Sequence, residues 1–116
     1  MELKELALCT REEIEKEINR MCPYPVNPKN PYEEDRVLHE RVNIRQSLKR
    51  LQIEALLDGK LTVDQVVAQM HTEEKDEDLD LDYLHRGILK DALNELNEGN
   101  NRWDIIERAL YELELF

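Results

Sequence analysis

The chain of 116 residues carries 27 acidic and 16 basic side chains, a net charge of -11, with 41% apolar and 37% charged residues. That length suits one domain, and a charged fraction well above the usual ~25% points to solvated helix surfaces rather than a thick sheet core. Only 3 Gly and 4 Pro occur, and every Pro falls between Pro23 and Pro31, which excludes the turn-dense grammar of a β-sandwich and the composition of a disordered chain.

Leu3, Leu6 and Ala7 follow a helical stripe, so the first nine residues read either as a short helix or as an extended arm. Thr10 and Glu13 then have the spacing of a capping box, which opens a predicted helix over 11–21 with Ile14, Ile18 and Met21 on one face. The segment CPYPVNPKNP over 22–31 is excluded from helix, because four prolines remove amide donors and push each preceding residue toward extended backbone. It reads as a stiff connector rather than a ligand for an aromatic groove.

Asn30 as cap, Pro31 at the first helical position and Glu33 at the third predict a helix over 31–58, roughly 42 Å long at 1.5 Å per residue, stopped by Gly59. Its apolar residues form two seams at ~100° per residue. Val37, Ile44, Leu48, Leu51 and Ala55 make a narrow one; Leu38, Val42, Ile53, Leu56 and Leu57 make a broader one. Arg41, Arg45, Lys49 and Gln52 run between them, with alkyl stems suited to covering apolar surface.

Thr62 and Gln65 repeat the capping pattern ahead of a short helix through Val66, Val67 and Met70. An acidic connector, TEEKDEDLDLD, follows over 72–82. A helix from about residue 80 to 97 carries Tyr83, Leu84, Ile88, Leu89, Leu93 and Leu96 and ends at Gly99. Asn101 caps the last, in which Trp103, Ile106, Leu110 and Leu113 share a face. The fold class that results is all-α, a small bundle of four to five helices around one long central helix, forming one helical domain over 1–116.

Charge is distributed unevenly: residues 1–35 hold 9 acids and 5 bases, residues 36–60 hold 3 and 6, and residues 61–116 hold 15 and 5. The basic island on the long helix reads first as internal compensation against neighbouring carboxylates. The acidic C-terminal half is suited to a basic partner, for which complementary charge speeds association and disfavours wrong partners. LLDGKLTVDQVVAQM has the outline of a helix-turn-helix, but its second helix offers Asp64, Gln65 and Gln69 with no Arg or Lys, which argues against contact with phosphates.

No phosphate-binding loop or nucleophile motif occurs. Asp76, Asp78, Asp80 and Asp82 imitate a calcium loop but fail at position six, Leu81, and position twelve, Gly87. Asp82 with His85 is one carboxylate-histidine pair where a di-iron bundle needs two, and His39, His71, Cys9 and Cys22 lack zinc-like spacing. No cofactor and no metal are expected. No apolar run approaches the ~20 residues that cross a bilayer, and the acidic N-terminal flank opposes export, so the expected compartment is the cytoplasm, with Cys9 and Cys22 reduced.

MELK at the start with TREE at residues 10–13 is similar to the first helix of the small acidic immunity proteins that inhibit nuclease colicins, a likeness over about a tenth of the chain. It implies a helical protein that acts by masking a basic partner. The Tyr-Tyr-Pro and Asp-Gly segment of that family's binding site has no counterpart here.

The expected function is a non-enzymatic acidic interaction module, of the kind encoded by phages or mobile elements as an inhibitor, immunity or anti-defence protein. The alternatives are a helical DNA-binding regulator and a metal-dependent all-α enzyme. The expected partner-binding residues are Asp76, Glu77, Asp78, Leu79, Asp80, Leu81, Asp82 and Tyr83. A homodimer is expected through Val42, Ile53 and Leu57, with Trp103 and Leu110 as the second choice.

Overall fold

A computed structural model describes residues 2–25, 30–70 and 79–114, with the side chains of residues 79–82 and 114 excepted. The described residues form six helices and no strand: α1 (Leu3–Leu6), α2 (Arg11–Met21), α3 (Pro31–Leu57), α4 (Val63–Met70), α5 (Leu79–Asn97) and α6 (Arg102–Glu114). The expected all-α bundle around one long helix is the observed architecture.

Local chemistry sets most helix ends. At α2 the Glu13 amide donates to Thr10 Oγ1 at 3.3 Å and the Thr10 amide donates to Glu13 Oε1 at 3.4 Å, so two amides without helical partners are satisfied reciprocally. Thr62 and Gln65 do the same at α4, at 2.9 and 3.2 Å. The Glu33 amide donates to Asn30 Oδ1 at 3.1 Å at the start of α3. Helix α3 stops in a Schellman arrangement: Gly59 has φ +78°, and the Lys60 amide reaches back to the Ala55 carbonyl at 2.9 Å. Gly59 is suited to this position because a side chain there is strained by the left-handed backbone.

Two apolar clusters form along α3. Leu48 joins Leu6 and Ala7 from the α1 end and Ile14 and Ile18 from α2. Further along, Ile53, Leu56 and Leu57 join Val66 and Val67 of α4, Ile88, Leu89 and Ala92 of α5, and Ile105, Ile106, Ala109 and Leu113 of α6. The N-terminal segment, open between helix and arm in the sequence, is a single helical turn that buries Leu6 and Ala7 at 1% exposure each. Its far end is clasped to α4, where Gln69 Nε2 donates to the carbonyls of Ala7 and Cys9, both at 2.7 Å.

Two expectations are corrected by this packing. Ile53 and Leu57, assigned to a dimer interface, are 0% and 8% exposed, because α4, α5 and α6 of the same chain cover the C-terminal half of the broad seam. Only Val42 of that set faces outward. Trp103, placed on the apolar face of the last helix, is exposed, since α6 is rotated to bury Ile105 and Ala109 instead. Residues 80–82, given in the sequence both to the end of the acidic connector and to the start of the following helix, lie in the first turn of α5, which opens one residue earlier at Leu79.

Candidate interaction face

Arginine pairing determines where uncompensated charge remains. Seven of the nine arginines in the chain meet a carboxylate within the described residues: Arg11 with Glu12, Arg20 with Glu17, Arg45 with Glu15, Arg50 with Glu107, Arg86 with Asp64, Arg102 with Asp58 and Arg108 with Glu95. An eighth, Arg41, is buried and donates to the Cys22 carbonyl at 2.9 Å. Individually such surface pairs add little stability. Collectively they occupy most of the arginines with the chain's own carboxylates.

The pairs displace titration in the sense expected of their geometry. A hydrogen bond from Arg102 holds the Asp58 carboxyl below its ordinary value, and one from Arg45 does the same for Glu15. Burial pushes the thiols of Cys9 and Cys22 up, helped at Cys22 by a hydrogen bond to the Glu40 carboxylate at 3.4 Å. Both cysteines are free.

Part of the surplus negative charge lies between α5 and α6. These antiparallel helices leave a groove of about 270 Å³ lined by Ile88, Asp91, Ala92 and Glu95 on one side and Ile105, Arg108, Ala109 and Glu112 on the other. The lining thus holds three carboxylates and one guanidinium, and that guanidinium is paired with Glu95. Leu84, Ile88, Asp91 and Glu95 follow at i, i+4, i+7 and i+11, so they share a helix face. Leu84 and the neighbouring Tyr83, 37% and 77% exposed, mark the N-terminal end of this helix surface.

A wider cleft, about 530 Å³, lies among residues 8–12, α4 and Arg86. Its charges are balanced, Arg86 against Asp64 and Arg11 against Glu12, so it offers no comparable field.

Of the residues expected to bind a partner, Asp76, Glu77 and Asp78 lie outside the described residues. Leu79, Asp80, Leu81 and Asp82 form the opening turn of α5, and Tyr83 follows them on an exposed position. Asp91, Glu95 and Glu112 were not singled out as a group by the sequence; the i+4 spacing of Asp91 and Glu95 was available, but their convergence with α6 requires the tertiary pairing. Among the described residues no group of three or more His, Cys, Asp or Glu side chains is placed to hold a metal ion, and no helix is long and apolar enough to cross a membrane. Protein-family models, curated proteins and solved structures give no match to this chain.

Proposed function

We propose that the chain is a non-enzymatic interaction module that engages a basic surface of a partner protein through α5 and α6. The observation carrying this reading is the α5–α6 groove, whose lining holds Asp91, Glu95 and Glu112 with one cation, Arg108, already paired with Glu95. A partner's Lys or Arg side chains would find complementary charge there, and exposed Tyr83 and Leu84 supply apolar contact of the sort that anchors interfaces inside a polar rim. An inhibitor or immunity protein masking a basic active surface is the form of action best matched to such a module. Nucleic acid is disfavoured as the partner, since phosphates would meet this face with like charge.

The test is capture of partners from the native host by wild type and by an Asp91→Asn, Glu112→Gln double variant, followed by titration of the purified partner. The expected result is a basic partner whose affinity falls in the variant and falls again with added salt. A partner that binds both proteins equally at every salt concentration overturns the reading.

A further inference from the structure

The N-terminal half of α3 carries an uncovered face that is independent of the acidic groove. Asp35, Leu38, Val42, Arg45 and Lys49 follow one another at spacings of three, four, three and four, the seam of a coiled coil. The same seam continues into Gln52 and Leu56, which are 5% and 2% exposed, Leu56 beneath α4 to α6. Toward the N-terminus that cover ends, and Leu38 and Val42 are 46% and 49% exposed.

We propose that this face pairs with the same face of a second copy, antiparallel, about a twofold axis level with residue 40. In an antiparallel pair, residues whose numbers sum to a constant lie at one level. A sum of 80 sets Leu38 against Val42 of the second copy and Val42 against its Leu38, four apolar side chains at the centre. The same register sets Asp35 against Arg45 of the second copy at both ends.

Charge selects the direction. A parallel pair would stack Asp35 on Asp35 and Arg45 on Arg45, whereas the antiparallel pair converts both repulsions into attractions. Arg45 is equipped for the additional contact: it bonds Glu15 at 2.8 Å while its side chain stays 42% exposed, and a guanidinium has five donors in a fixed fork. The copy on the other side completes for the first half of α3 the cover that α4 to α6 provide for the second.

The test is sedimentation of the full chain over a concentration series, with mixing of two variants. Wild type is expected to dimerise reversibly. Val42→Glu is expected to weaken the dimer at least about tenfold while keeping a cooperative helical melt. Asp35→Lys and Arg45→Glu are each expected to weaken it alone, and an equimolar mixture of the two is expected to dimerise again, because each mixed pair restores opposite charge at both ends. A wild type that stays monomeric at the highest concentration overturns the proposal, whether the face binds nothing, a different protein or residues 115–116 of its own chain. A dimer that tolerates Val42→Glu, or a mixture without rescue, overturns it as well.

Discussion

Arg41 reaches from α3 to the Cys22 carbonyl at 2.9 Å while its guanidinium carbon sits 4.5 Å from the centre of the Tyr24 ring. One buried cation thus ties the end of α2 and the first residues of the proline-rich connector to the long helix. The contact also supplies a donor to a carbonyl at the C-cap of α2, where the helix's own amides have run out.

Arg41→Ala is therefore expected to destabilise the protein by about 1 to 3 kcal/mol, through the orphaned carbonyl and lost packing. Tyr24→Ala is expected to cost less, about 0.5 to 1 kcal/mol. Urea denaturation of both variants checks the order, and equal losses would show that the ring rather than the carbonyl carries the interaction.

Leu48 and Ile53 report on the two apolar clusters separately. Each is essentially inaccessible, at 2% and 0% exposure, so Leu48→Ala and Ile53→Ala are each expected to cost about 2 to 5 kcal/mol. Glu12→Ala, at an exposed position, is expected to fall within about 0.5 kcal/mol of wild type. Thermal or chemical melts decide; a melt indifferent to Leu48→Ala would remove α1 and α2 from the cooperative unit.

Acid stability has a defined sign. The Asp58 and Glu15 carboxyls titrate below their ordinary values in the folded chain because Arg102 and Arg45 bond them. Their contribution is complete above the unfolded carboxylate value, about 4, and is lost as the pH falls through the lowered folded values. Asp58→Asn is expected to flatten the acid limb of the stability profile below about pH 4, modestly and less in high salt, since both partners of the pair remain partly exposed. An acid limb unchanged by Asp58→Asn and Glu15→Gln together would assign acid sensitivity to other carboxylates.

Thiol reactivity separates the two cysteines. Both titrate above the ordinary thiol value, Cys22 is buried and Cys9 is partly accessible, and the thiolate is the reactive form. Labelling at neutral pH is expected to modify Cys9 slowly and Cys22 only on unfolding. Equal rates for the two would mean that the α2 end opens far more readily than the contacts of Cys22 imply, its thiol with the Val37 carbonyl at 3.7 Å and its carbonyl with Arg41.

The helix ends were legible in the sequence because capping is local: Thr10 with Glu13, Asn30 with Pro31, Thr62 with Gln65, and Gly59 each act within a few residues. The two seams of α3 were legible too, from periodicity. Which part of a seam finds a cover was not, since Ile53 and Leu57 lie inside and Val42 outside only by virtue of where α4 to α6 stop. Trp103 shows the same limit. Its periodicity suits the core, but Ile105 and Ala109 complete a better-fitting face, and the indole lies 4.6 Å from the Arg50 guanidinium instead. The acidic groove is absent from the sequence pattern because its members come from two helices whose pairing no single-helix pattern encodes.

The clasp between Gln69 and the carbonyls of Ala7 and Cys9 joins positions 62 and 60 residues apart. During synthesis, at about 5 to 20 residues per second, α1 waits roughly 3 to 12 seconds for its anchor to be made. Within that interval Ile14, Ile18 and Leu48 emerge to cover Leu6 and Ala7, while the two carbonyls still lack their donor. The ribosome thus delivers α1 well before the residue that clasps it, and a chain interrupted anywhere ahead of α4 leaves the carbonyls of Ala7 and Cys9 without their Gln69 donor.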